Sequence, residues 1–89
     1  MVRAHIYFSG TVQGVGFRYT CQSYAVELDL KGWVKNLSDG RVELLAEGTK
    51  IAIVELVKKS NDHFGGYIHN VQTDYLDASG EFKDFKVAF

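Results

Sequence analysis

From Val2 to Ser9 the apolar residues Ala4, Ile6 and Phe8 alternate with Arg3, His5 and Tyr7, the period of a strand with one face on a core. Gly10 to Gly16 places three glycines in seven residues and reads as a loop. Phe17, Cys21, Tyr24, Ala25 and Leu28 then recur at spacings of three and four, which predicts a helix from about Phe17 to Leu28 with these residues on one stripe. Two further strand-like runs, Lys31 to Leu37 and Arg41 to Glu47, flank Ser38, Asp39 and Gly40, and the short Gly-containing turn predicts a hairpin. Thr49 suits the cap of a second helix, whose shared face is Ile53, Leu56, Val57 and Ser60 and which ends before Gly65 and Gly66; these are ordinary start and stop signals. Tyr67 to Leu76 is rich in β formers, but Ile68 and Val71 stand three apart, so a bulge is expected before Val71, Thr73 and Tyr75 resume the alternation. Phe85, Val87 and Phe89 suggest a short closing edge strand.

The order β-α-β-β-α-β with a final short strand predicts an α+β fold, the ferredoxin-like split βαβ sandwich: an antiparallel sheet with two helices on one face and a short fifth edge strand. In that topology Arg18 opens the first helix at one end of the sheet. A helix of about 12 residues descends roughly 18 Å, and a strand rising about 3.3 Å per residue climbs a comparable distance over Lys31 to Leu37. Asn36 is therefore expected back at the end where Arg18 sits, facing the same cleft.

Composition narrows the setting. The chain has 89 residues, 46% of them hydrophobic and 13% aromatic, enough for one domain over 1–89 with a core that needs neither disulfide nor metal. Its single cysteine, Cys21, cannot form an internal disulfide, and a lone thiol points to a reducing compartment, so a cytoplasmic location is expected. The alternating N-terminus is unlike the apolar block of a signal peptide, and no stretch approaches a membrane span. A net charge of −1 provides no general basic field for nucleic acid. Any anion must be held locally.

The Gly-rich loop leading into a helix is one place to hold it, because exposed backbone N–H groups and the positive end of the helix dipole coincide there. No Ser, Asp or Asn between Val12 and Arg18 is available to cap the helix, leaving its first N–H groups without an acceptor. Arg18 is itself a cation at that positive end, an unfavourable placement that a bound oxyanion would relieve. Spacing by itself equally allows a solvated arginine beside an ordinary glycine loop. Cys21 lies on the apolar stripe and follows Arg18, whereas a cysteine phosphatase places its thiolate before the phosphate loop; it reads as core. The glycine run lacks the Gly-Lys-Ser/Thr ending of a nucleotide loop. His5, His63 and His69 have no metal-ligand spacing with one another or with Cys21, so neither a metal nor a cofactor is expected. Asp39 is explained by its turn, and Trp33, Tyr67, Tyr75 and Phe85 by packing; no RNP-like pattern of aromatic and basic residues is visible.

The run Gly10-Thr-Val-Gln-Gly-Val-Gly-Phe-Arg18 resembles the acylphosphatase signature G-x-V-Q-G-V-x-F-R, and Gly32-Trp-Val-Lys-Asn-Leu-Ser-Asp-Gly-Arg-Val-Glu43 resembles that family's second block, G-W-V-x-N-x-x-D-G-x-V-E. Both blocks match in full, and their separation and the chain length fit as well. The resemblance implies a small stand-alone enzyme that hydrolyses the carboxyl–phosphate bond of acyl phosphates. It makes Arg18 the ligand of the substrate phosphate, the backbone of Gln13, Gly14, Val15, Gly16 and Phe17 the cradle, and Asn36 the residue that positions the attacking water. Asp29, where a glycine is common, and Gly65-Gly66, where Gly-Pro is usual, depart from the family in loops. The partners expected on this reading are an acyl phosphate substrate and inorganic phosphate as product and competitive inhibitor, with no nucleic acid and no membrane, and the chain is expected to be a monomer. The alternatives are a non-catalytic ferredoxin-like module that binds a phospholigand, and a carbamoyl-phosphate-handling domain of the kind that opens larger hydrogenase-maturation proteins. The water-orienting amide of Asn36 argues against the first, and the chain end at Phe89 argues against the second.

Overall fold

In a computed structural model that describes residues 1–89, Ala4, Ile6 and Phe8 are fully buried, so the alternation of the first strand does put one face on the core. That strand is β1 (Val2–Gly10); it is followed by α1 (Phe17–Glu27), β2 (Lys31–Asn36), β3 (Val42–Gly48), α2 (Lys50–Phe64), a 3-10 turn at Gly65–Tyr67, β4 (Ile68–Asp77) and β5 (Phe85–Ala88). The strands lie in the order β4-β1-β3-β2-β5. Phe17, Cys21 and Ala25 of α1 and Ile53, Leu56, Ser60 and Phe64 of α2 are the buried stripes, and they close over the inward residues of the strands in one core with Leu30, Val34, Val42, Leu44 and Phe85. This is the expected ferredoxin-like α+β sandwich.

The sheet is mixed, where an antiparallel one was expected: β1–β3, β1–β4 and β2–β3 pair antiparallel, but β5 runs parallel to β2. Direction explains it. β4 descends the edge beside β1 and ends at the bottom of the sheet, so a chain that crosses beneath to the far edge must climb again, alongside a strand that also climbs. β2 is that strand. The consequence is that β1, β2 and β5 all finish at the same end, where α1 begins.

The predicted bulge is present: Ser9 pairs with Asn70 and Gly10 with Ile68, so His69 is the extra residue, as a β-bulge requires. Thr49 Oγ1 accepts a hydrogen bond from the Ala52 N–H at 3.1 Å, the cap expected for α2. Asp29 has a φ of +57°; this left-handed position after α1 suits glycine best, and an aspartate tolerates it. Its carboxylate meets Lys31 Nζ at 3.1 Å. Gly32 is required by close approach, since a Cβ there would overlap the Leu45 carbonyl of β3. The packing expected of all four aromatics needs correction. Phe85 is buried, but Tyr67 is 51% and Tyr75 40% exposed and Trp33 is half-buried. Tyr75 lies on an edge strand with only β1 beside it, and Trp33 faces away from the helices.

Candidate active site

Alternation along β2 decides where Asn36 points. Val34 is fully buried under the helices, and Asn36, two residues on, faces the same side at the strand's upper end. Arg18 lies in the first turn of α1, which starts above that end. The two residues line one cleft of about 130 Å³ together with Val12, Gly14, Gly16, Phe17 and Tyr19. That is well below the ~300–1,000 Å³ of a pocket for a drug-sized ligand, so the cleft suits a small group. A larger open groove of about 560 Å³ runs along the β2–β5 edge past Trp33, Phe82 and Lys86; it lacks the glycine loop, Arg18 and Asn36, so the smaller cleft is the one with chemistry.

The loop between β1 and α1 is pinned at both of its ends. Thr11 N–H donates to the Tyr67 carbonyl at 2.8 Å, and the buried Val12 anchors it in the core. The Gln13 side chain reaches across to the β2–β3 turn, where Nε2 donates to the carbonyls of Leu37 at 2.7 Å and Arg41 at 2.9 Å. Gln13 therefore ties the loop to the strand end that bears Asn36, and its side chain is structural. The backbone N–H groups from Gln13 to Gly16 donate to no other backbone group. Gly16 is the N-cap of α1, with φ +78°, no side-chain cap and no acidic residue in the first turn. Gly14 shares that left-handed φ, at +77°. Loop and helix start thus present uncapped donors on one cation-bearing turn, the arrangement that attracts an anion. Of the five residues expected to form the cradle, Gly14, Gly16 and Phe17 line the cleft, whereas Gln13 and Val15 do not; Val15 packs against the core, and Phe17 is buried in it.

Arg18 is half-buried. Its Nη1 donates to the Ala88 carbonyl of β5 at 3.3 Å, and the Phe89 ring covers its guanidinium, centroid to Cζ 4.7 Å. The sequence reading missed this support, because it comes from the parallel fifth strand. Gln22 Nε2 on the next turn of α1 donates to the Phe85 carbonyl at 3.0 Å, so β5 is strapped to α1 twice. Asn36 Oδ1 is buried and has no protein hydrogen-bond partner. A buried amide oxygen without a partner costs about 1–3 kcal/mol, so its persistence at a cleft mouth marks it as reserved for something outside the fold.

Besides Arg18, Tyr19 is the titratable residue that lines this cleft; Cys21, Asp39 and the three histidines are not among its lining residues. Cys21 is fully buried and close to Ser60 Oγ at 3.6 Å; burial pushes its thiol up to about 12, more than the Ser60 contact lowers it. Asp39 accepts from the Arg41 N–H at 3.1 Å and from Arg41 Nε at 2.8 Å, the backbone bond and then the side-chain bond holding its carboxyl below the usual range. His63 Nδ1 pairs with the Tyr24 hydroxyl at 3.1 Å, His69 is exposed at the bulge, and His5 meets Glu43 on the sheet face away from the helices.

A ferredoxin-like sandwich with an uncapped glycine loop, an arginine at the helix start and an unpartnered amide opposite suits the binding of a phosphoanion. Comparison with known proteins is more specific. The family model "Acylphosphatase" matches residues 4–87. The chain is 40% identical over 88 residues to the acylphosphatase of Pyrobaculum islandicum, covering 97% of this chain and 93% of that one. It is 46% identical over 80 residues to the acylphosphatase of Paenarthrobacter aurescens, covering 89% and 85% of the two chains. The crystal structure of acylphosphatase from Bacillus subtilis superposes with a TM-score of 0.93 at 34% identity over the whole of both chains. This chain belongs to the acylphosphatase family.

Proposed function

We propose that this chain carries out the family's hydrolysis of the carboxyl–phosphate bond of small acyl phosphates with Arg18 and the backbone of Gln13 to Phe17 holding the phosphoryl group and Asn36 orienting the attacking water. The observation that carries the assignment is the buried, unpartnered Oδ1 of Asn36 in the same cleft as Arg18. A fully ionised phosphate has no hydrogen to give that acceptor, whereas a water beside it does.

The chemistry needs no strong acid or base. A carboxylate leaving group has a conjugate acid of pKa about 4, so it departs unprotonated at neutral pH. In a loose phosphoryl-transfer transition state the charge stays on the equatorial oxygens, where the Arg18 fork and the loop N–H groups bind them. Asn36 Oδ1 accepts a hydrogen bond from the water and aims its lone pair at phosphorus, a positioning role that needs no ionisation. The water oxygen bonds to phosphorus, the bond to the carboxyl oxygen breaks with its electron pair, and the water's proton passes to a phosphoryl oxygen. The products are a carboxylate and inorganic phosphate, the latter expected to compete for the cradle.

The same reading makes the enzyme metal-independent, monomeric and cytoplasmic. No three His, Cys, Asp or Glu side chains converge in metal-binding range, and the lone thiol, Cys21, is buried. No helix is long and apolar enough to cross a membrane. The test pairs two variants. Asn36→Ala should lower kcat on benzoyl phosphate by roughly a hundredfold while inhibition by inorganic phosphate changes little; Arg18→Lys, which keeps the charge and loses the fork, should lose more than ~1.4 kcal/mol, a tenfold effect on rate, and also phosphate affinity. A large loss of phosphate affinity in Asn36→Ala moves that residue from the water to the anion.

A further inference from the structure

We propose that Gln22 is a positioning residue for the reaction: by holding the Phe85 carbonyl it sets β5 so that the Ala88 carbonyl orients the Arg18 guanidinium. This rests on the assignment of Arg18 to the phosphoryl group.

Arg18 has no carboxylate partner, since none of the ion pairs in the structure includes it. Its side chain is fixed by a bond from Nη1 to the Ala88 carbonyl at 3.3 Å. The Phe89 ring covers one face of the guanidinium, but the N–H donors lie in the guanidinium plane and a ring on the face leaves them free. A planar fork held at one corner presents its other donors in a set direction. The Ala88 carbonyl therefore decides where Nε and Nη2 aim.

That carbonyl is only as well placed as β5 itself. The strand has four residues and one sheet neighbour, β2, which is short for a strand. Just before it, the Asp84 carbonyl accepts from the Gly32 N–H of β2 at 2.9 Å. Carbonyls alternate sides along a strand, so that of Phe85 turns away from β2 to the open edge of the sheet. Gln22 supplies the donor there, its Nε2 lying 3.0 Å from the Phe85 oxygen. Gln22 follows Arg18 by four residues, one turn further along the same face of α1. The two side chains thus grip β5 at Phe85 and Ala88, and the strand is tied to the very helix that carries the arginine. Gln22 is half-buried and does not line the cleft, so it acts on the anion only through Arg18, as a support that locks a binding group in its productive geometry.

Gln22→Met keeps the length of the side chain and removes its donor, and Gln22→Leu removes the donor with a different shape. The experiment measures kcat and KM for benzoyl phosphate in each, together with the affinity for inorganic phosphate read from the rise in melting temperature it causes. Phosphate affinity is then measured for Gln22→Met in the Arg18→Lys background. Both single variants should raise KM and weaken phosphate binding together by about three- to tenfold, the weight of one hydrogen bond. The fall in kcat should be smaller, because Asn36 and its water stay in place. In the Arg18→Lys background Gln22→Met should weaken phosphate by less than about twofold, since an ammonium has no fork to orient. Phosphate affinity and KM within twofold of wild type in both single variants overturn the proposal. An equal loss in the two backgrounds overturns it too, because Gln22 would then serve only to secure β5 to the fold. Failure of the wild type to hydrolyse benzoyl phosphate refutes the reading of the cleft itself.

Discussion

Replacing Glu47 by Gln should unfasten the crossover that carries β5 to the active site. The Glu47 side chain is only 6% exposed and sits at the bottom of β3, far from the cleft. Its carboxylate accepts four bonds: from Ser79 N–H at 2.8 Å, Ser79 Oγ at 3.0 Å, Gly80 N–H at 3.0 Å and Arg3 Nε at 2.7 Å. Burial by itself pushes the carboxyl up, but the hydrogen bonds from Ser79, Arg3 and Gly80 outweigh it and hold the pKa at about 2, against an ordinary 4.5. A folded-state pKa below the unfolded one stabilises at pH values above the unfolded pKa, and the contribution fades as pH falls from about 4.5 towards 2. At ~1.4 kcal/mol per pH unit the gap corresponds to about 3 kcal/mol. Arg3 remains 21% exposed, so water screens part of this and about 2 kcal/mol is the expected loss in Glu47→Gln at neutral pH. For a domain of this size that is a drop in Tm of roughly 8–16 °C, a large share of a total near 5–13 kcal/mol. Urea denaturation from pH 7 to pH 2.5 measures it: the wild type should lose stability below about pH 4.5 more steeply than the variant, and the two should converge near pH 2. A variant within about 0.5 kcal/mol of wild type at pH 7, or one with the same acid slope, refutes the account; changes that small are ordinary for surface substitutions.

Gly32→Ala should destabilise by roughly 2 kcal/mol or more, because the new methyl meets the Leu45 carbonyl and the backbone there has a φ of +146°; a melting temperature equal to wild type contradicts it. Native Cys21 should resist iodoacetamide at pH 8, since burial holds its thiol near 12, and alkylation at the rate of a free thiol refutes the buried assignment. Cys21→Ala should cost about 1 kcal/mol of packing with turnover on benzoyl phosphate retained, and exhaustive chelation should likewise leave turnover intact; loss of activity with the fold preserved, in either case, means the metal- and thiol-free mechanism is wrong.

The elements were legible in the chain because their signals are local. Strand alternation in Ala4, Ile6 and Phe8, the three–four spacing of Phe17, Cys21 and Ala25, and the turn residues Ser38 to Gly40 each report on a neighbourhood of a few residues. The convergence of Arg18 and Asn36 could also be reasoned from rise per residue and connectivity, since helix and strand lengths nearly cancel, and the two motif blocks identified the same pair. What escaped that reasoning depends on which distant segments share a surface. The parallel course of β5, and with it the Ala88 carbonyl and the Phe89 ring on Arg18, follows from β4 ending at the bottom of the opposite edge. The Glu47 clasp joins β3 to Ser79 and Gly80, and in the sequence Glu47 is an ordinary acidic residue of a strand. Tyr67 and Tyr75 read as core by their type, and only their place near or on the sheet edge left them exposed. Hydrophobic period is set by how a residue's own element turns, whereas the partner of a polar side chain is set by chain crossings tens of residues away, and the tertiary structure alone decides those.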